Sequence, residues 1–220
     1  MTEEDFKSLA QQLSCPEGEN GIKTGENMNL TNSNMIHSTI DAMNIGAGQQ
    51  ILEIGPGNGS HLESIVKQTP DLHYTGIDIS ETMILEARRI NKDFIDTGFA
   101  DFKLSNGKIL DFESGTYDKI FTVNTLYFWE EPPDYANEIL RVLKPGGKFY
   151  LTFAEKDFMK ALPFTVYGFR LYDINDAERL LSDAGFLIAD VKTKTEDIKS
   201  NTGEAVKRNF IILTSAKPLS

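Results

Sequence analysis

The sequence predicts a doubly wound α/β sheet behind an N-terminal helical cap, and three stretches predict it. QILEIGPGNGSHL (50–62) runs from an apolar strand through glycines at every second position into residues that can start a helix. That is the front end of a nucleotide-binding βαβ unit. LHYTGIDI (72–79) reads as a second strand carrying Asp78 near its end, about twenty residues after the glycines. DKIFTVN (118–124) has the buried character of a strand covered by helices on both faces.

Bulk properties narrow the classes. At 220 residues the chain is most simply one domain, with residues 1–45 as cap or lid helices and 46–220 as the ligand-binding body. Net charge is −11 with no basic stripe, so no nucleic-acid partner is expected, because phosphate binding requires clustered Lys and Arg. The single cysteine, Cys15, allows no disulfide framework and no Cys-rich metal site. The start, MTEEDFKSLAQQL, is acidic and lacks the apolar core of a signal peptide, and no apolar run approaches about 18 residues. A cytoplasmic protein without a membrane span is expected.

In chain order, Glu3 to Leu13 has helical spacing of Phe6, Leu9, Ala10 and Leu13. Cys15 to Asn34, rich in Gly and Asn, predicts a long irregular connection. It is either a polar surface loop or a flap that closes Asn27, Met28 and Asn29 over a ligand. Asn32 or Ser33 can cap a helix to about Asn44 that buries Ile36, Ile40 and Met43. His37 lies one residue off that buried face.

The glycine loop selects the ligand. Gly55, Gly57 and Gly59 let the backbone turn tightly and a ligand approach where a Cβ would collide. A dinucleotide fingerprint needs its last glycine at position 60, which is Ser60. Glu53 at the strand end would repel a pyrophosphate and attract an ammonium group. That favours a cofactor with an amino-acid end, of which S-adenosyl-L-methionine is the common one, over the NAD of an oxidoreductase.

The stretch resembles motif I of the class I S-adenosylmethionine-dependent methyltransferases. GIDIS (76–80), YDKIFTVNTLYFW (117–129) and EILRVLKPGGKFYL (138–151) resemble that family's later motifs, in family order. The LYFW and LKPGG segments are similar to the broad group that includes the ubiquinone- and menaquinone-pathway enzymes. The resemblance implies a mostly parallel, seven-stranded Rossmann-like sheet with an antiparallel last strand. It also implies methyl transfer by SN2 displacement to a small-molecule acceptor, with no metal. A non-catalytic protein that only binds the cofactor is the other reading, since no catalytic residue is obligatory in such chemistry.

The implied cofactor contacts are Glu53, Gly55, Pro56, Gly57, Asn58 and Gly59 from the loop, then Asp78 and Ile79, with Met28 from the flap. Asp78 would accept hydrogen bonds from the ribose hydroxyls, a charge-assisted pairing; its bland role is to begin a turn before Ser80. After a helix over Ser80–Asn91 and a third strand over Phe99–Leu104, the family places an Asp that receives the adenine amino group. Here that place falls on Asn106, followed by Gly107, with Asp101 as the rival. The fourth strand delivers Asn124 to Trp129 to the crevice edge, where Phe128 and Trp129 either cover a sulfonium or serve as core.

Lys144 to Gly147 predicts a sharp turn into a fifth strand, Lys148–Phe153. Residues 155–172 form an aromatic insertion that is either an acceptor pocket or a helical cover. Asp173 or Asn175 caps a helix ending at Gly185, and Phe186–Lys194 with Arg208–Ala216 form a closing hairpin. His37 and Tyr127 are the candidates for deprotonating or orienting an acceptor, more as positioners than as an essential base.

Overall fold

The computed structural model describes residues 1–69, 71–199 and 205–220. Three helices, α1 (Glu3–Ser14), α2 (Gly18–Thr31) and α3 (Ser33–Met43), precede β1 (Gln50–Ile54). There follow α4 (Leu62–Val66), β2 (His73–Asp78), α5 (Glu81–Ile90), α6 (Lys92–Asp96), β3 (Ala100–Leu104) and β4 (Tyr117–Val123). Then come α7 (Pro132–Val142), β5 (Leu143–Ala154), α8 (Lys156–Lys160), α9 (Ile174–Asp183), β6 (Leu187–Lys199) and β7 (Ala205–Ala216). From the sequence, Pro70 is expected to stop the helix that follows the glycine loop; that residue, and residues 200–204 of the hairpin link, lie outside the described residues.

The strands lie in the order β3-β2-β1-β4-β5-β7-β6, with β7 antiparallel to both its neighbours. The order reverses between β1 and β4, which pair in parallel, so a crevice opens at their carboxyl ends. Alternation across the pleat explains why helices cover both faces. Ile51, Phe121 and Tyr150 point toward α3, α4 and α5, while Leu52, Ile120 and Phe149 point toward α7 and α9.

Two segments depart from the sequence expectation. The predicted irregular connection over Cys15–Asn34 is largely the helix α2. Its glycines cost helical propensity, roughly 1 kcal/mol each, but Gly21 and Gly25 are buried and permit close packing. A Cβ on Gly21 would lie 2.7 Å from the Pro16 carbonyl carbon, and one on Gly25 2.6 Å from Met83 Sδ. Tertiary contact thus overrides a weak local preference. The KPGG segment is not a separate turn but the opening of β5. There Leu143 pairs with Tyr117, and the register shifts before Lys119 meets Lys148.

The cap is pinned where the site begins. Ser80 Oγ donates to the Pro16 carbonyl at 2.5 Å, and Gly18 N–H donates to Thr82 Oγ1 at 3.2 Å. At the other end of α2, Asn32 makes no side-chain cap bond to α3. Its Oδ1 instead accepts from Arg208 Nη1 (3.0 Å) and Asn124 Nδ2 (3.1 Å), joining the cap to β7 and to the end of β4. Among the described residues, no helix is long and apolar enough to cross a membrane.

Candidate active site

The crevice beyond β1, β2 and β4 is roofed by the cap and forms a cavity. Glu53, Gly55, Pro56, Gly57, Asn58, Asp78, Ile79, Asn106, Gly107, Asn124 and Met28, all expected from the sequence, line it. Gly57 has φ +57°, and a Cβ there would meet no atom of the described residues within 4 Å. The loop therefore presents bare backbone to open cavity, the cradle that a bound group needs.

Asp78 ties the glycine loop to β2. Its Oδ2 accepts from Gly57 N–H at 3.2 Å and its Oδ1 from Ser80 N–H at 2.9 Å. The carboxylate is thus both the turn-former and a wall of the cavity, with lone pairs left over for hydroxyl donors. Burial pushes its carboxyl up to about 6, against the opposing pull of the Ser80 and Gly57 amides. Ile79 is 43% exposed beside it, and a Cβ on Gly107 would sit 3.0 Å from its Cγ2. Both line the cavity, Ile79 with an apolar side chain and Gly107 with bare backbone.

Several expected site residues fall elsewhere or act differently. Gly59 does not line the cavity; its φ is +64°, and it packs against the Phe102 ring and the Asn91 amide. Asn106 lines the cavity, but its Oδ1 already accepts from the Lys108 and Ile109 amides at 2.9 and 3.0 Å. Its amide nitrogen, a donor, is then the group it can offer a purine. The rival Asp101 is exposed on β3, in an ion pair with Lys103.

Neither candidate positioner reaches the cavity. His37 is exposed on α3, with Nδ1 against the Ser33 carbonyl at 2.7 Å. Tyr127 is 3% exposed, and its hydroxyl is committed to Ala154 and to Asn124 Oδ1. Residues 155–172 also stand behind the wall. Phe164 and Phe169 form an aromatic cluster with Tyr127 and Phe128, and the 163–166 turn packs on α1. The wall itself is built from Phe128 and Trp129 at the end of β4 and from Leu13, Asn29, Asn32 and Ile36 of the cap.

Sequence reasoning missed Tyr135 on α7 and His61 beside the glycine loop, both of which line the cavity. Burial holds the Tyr135 phenol well above its ordinary range, and Asp78 adds to the effect. His61 Nε2 contacts Glu53 Oε2 at 2.8 Å, a pairing hinted at only by a histidine eight residues beyond the acid.

The comparisons with known proteins bear on the fold and the family of this chain. The methyltransferase domain family matches residues 52–151. An uncharacterised methyltransferase of Bacillus subtilis, YdaC, is 33% identical over 133 residues, which is 59% of this chain and 70% of that protein. The chain spans less than two thirds of further curated relatives matched at 24–28% identity. Among solved structures, a methyltransferase-like chain is complexed with the Haloferax volcanii Trm112 methyltransferase activator. It superposes with TM-score 0.76 at 17% identity, covering 99% of this chain and 100% of that one. The Haemonchus contortus phosphoethanolamine N-methyltransferase 2 was solved with phosphomonomethylethanolamine and S-adenosylhomocysteine. It gives TM-score 0.71 at 15% identity over 96% of this chain and 60% of that one.

Proposed function

We propose that this chain, which belongs to the class I S-adenosylmethionine-dependent methyltransferases, methylates a small molecule that is uncharged or cationic. The charge of the cavity supports this reading. The acidic and basic side chains lining it are Glu53, Asp78 and Glu130 with His61, so carboxylates dominate. A phosphate-bearing compound, such as the phosphomonomethylethanolamine in the Haemonchus structure, would meet repulsion here without an Arg or Lys among the described lining residues. Cap residues Leu13, Met28 and Ile36, with Phe128, suit an apolar body, and Asn29 supplies an uncharged polar contact.

The cofactor supplies an activated methyl group: the acceptor's lone pair forms the new bond to carbon as the carbon–sulfur bond breaks, and that electron pair returns to sulfur. In this reading the chain's task is placement. The glycine loop and Glu53 hold the methionine end, Asp78 holds the ribose, and Ile79, Gly107 and the Asn106 amide hold the purine. Phe128 and Trp129 line the cavity and would cover the sulfonium, an aromatic contact with positive charge worth about 0.5–2 kcal/mol. Alignment in a closed crevice supplies most of the acceleration.

The test is release of S-adenosylhomocysteine with acceptors matched in pairs, each compound against its phosphorylated counterpart. Turnover confined to the unphosphorylated members is expected; turnover favouring the phosphorylated members would overturn the proposal. With an acceptor in hand, His37→Ala and Tyr127→Phe should each lower kcat less than about tenfold, because neither reaches the cavity. A thousandfold loss in either, with cofactor affinity intact, would show that one acts as a base.

Asp78 gives a pH signature. Its folded carboxyl lies above the ordinary 3.8, so its contribution to the stability of the ligand-free protein is complete below about 3.8 and lost as pH rises through about 6. Cofactor binding runs the other way, because ribose hydroxyls donate to the ionised form. Affinity for S-adenosylhomocysteine should fall about tenfold between roughly pH 7 and pH 5. Asp78→Asn should flatten that dependence and weaken binding by one to two decades at neutral pH. Calorimetric titration across pH checks both, and an unchanged slope in the variant would remove Asp78 from the ribose site.

A further inference from the structure

We propose that His61 and Tyr74 are positioning residues that aim the Glu53 carboxylate at the ammonium group of the bound cofactor. The proposal rests on the reading of the cavity as the cofactor site, and it assigns a role to two residues outside the glycine motif. Tyr74 OH donates to Glu53 Oε2 at 2.5 Å, and His61 Nε2 lies 2.8 Å from the same oxygen. The three side chains come from different elements: Glu53 from β1, Tyr74 from β2, and His61 from the turn before α4. All are buried, with Glu53 2%, Tyr74 1% and His61 6% exposed.

Two features show that this is more than core packing. Both donors converge on one oxygen, so Oε1 is the carboxylate atom left for a ligand, and Glu53 lines the cavity. Second, an ionised carboxylate only accepts, so His61 must carry its proton on Nε2. Nδ1, whichever protonation the ring carries, is buried with no hydrogen-bond partner among the described residues. An imidazole that leaves one nitrogen unsatisfied is a costly way to fill core, where an apolar side chain would serve. Its presence is explained by what Nε2 holds. Opposite Glu53 on β2 stands Gly76, so no neighbouring side chain there competes for the carboxylate. Tyr74 is itself steadied against the Phe102 ring at 5.6 Å.

The experiment is calorimetric titration with two ligands, S-adenosylhomocysteine and methylthioadenosine. Both carry the adenosine and the thioether, but the second lacks the ammonium and carboxylate. Tyr74→Phe and His61→Leu should each weaken S-adenosylhomocysteine binding about tenfold while methylthioadenosine affinity stays within about twofold. In a Glu53→Gln background neither substitution should weaken S-adenosylhomocysteine further, because their effect passes through the carboxylate. Equal losses for both ligands would mean a general structural role, and full losses persisting in the Glu53→Gln background would mean action independent of Glu53. Either result overturns the proposal. Tyr74→Phe removes a single oxygen and serves as the decisive variant if His61→Leu fails to fold. Wild-type protein that binds neither ligand would overturn the cofactor site itself. Binding of both with the losses misplaced would overturn only the positioning role.

Discussion

Gly57→Val is expected to raise the dissociation constant for S-adenosylmethionine by more than about a hundredfold. Two costs combine. The left-handed backbone at φ +57° disfavours any L side chain by roughly 1–2 kcal/mol, more for a β-branched one. Beyond that, the isopropyl group would project into cavity, where no atom of the described residues lies within 4 Å of the Cβ position. The control is Gly48→Val. Gly48 also has a positive φ, +72°, with open space about its Cβ, but lies on an exposed turn before β1. Its variant should lose a similar amount of stability and keep cofactor affinity within about threefold. Calorimetry with parallel thermal melts separates the two effects. If Gly57→Val binds as the Gly48 variant does, the glycine loop does not hold the cofactor.

Arg208→Ala should be among the most destabilising single changes. Arg208 is 5% exposed and donates through Nε to Glu196 Oε1 (2.8 Å), through Nη1 to Asn32 Oδ1 (3.0 Å) and through Nη2 to the Thr31 carbonyl (2.6 Å). Its removal strands a Glu196 side chain that is 9% exposed, leaving Asn34 Nδ2 as a hydrogen-bond partner at 2.9 Å. Breaking a buried pair from one side costs about 3–5 kcal/mol, or roughly a 10 °C drop in Tm for a chain of this size. Cofactor affinity should fall as well, because Asn32 of the released α2–α3 junction lines the cavity. Replacing both partners, Arg208→Met with Glu196→Leu, should recover most of the stability but not the affinity. Full recovery of both would show that the clamp does not position the cap.

The sheet and the cofactor floor were legible in the sequence because their constraints are local. Strands buried on both faces read as apolar runs, and a glycine loop with an acid at the strand end states its ligand in a few residues. The middle of the cap was not legible for the opposite reason, although the helices on either side of it were. Helix α2 is poor in helix formers, and only Gly21 and Gly25, four residues apart, mark its packed face. Tyr127 looked free because it follows a strand end, yet the backbone of Ala154, distant in sequence, takes its hydroxyl. Asn106 lines the cavity, but its side-chain oxygen is spent on its own turn. His61 went unnoticed because its partner Glu53 lies across a loop, and Tyr74 completes the group only when β1 and β2 pair.

The central claim, that this cavity delivers a methyl group to a small molecule, is tested most directly with S-adenosylmethionine isotopically labelled in its methyl group. The protein is incubated with the labelled cofactor and a cell extract divided into low-mass, protein and nucleic-acid fractions. Label is predicted in the low-mass fraction, in step with S-adenosylhomocysteine release, and absent when the Gly57→Val protein is used. Label carried by protein or nucleic acid would contradict the claim, as would cofactor binding with no label transferred to any fraction.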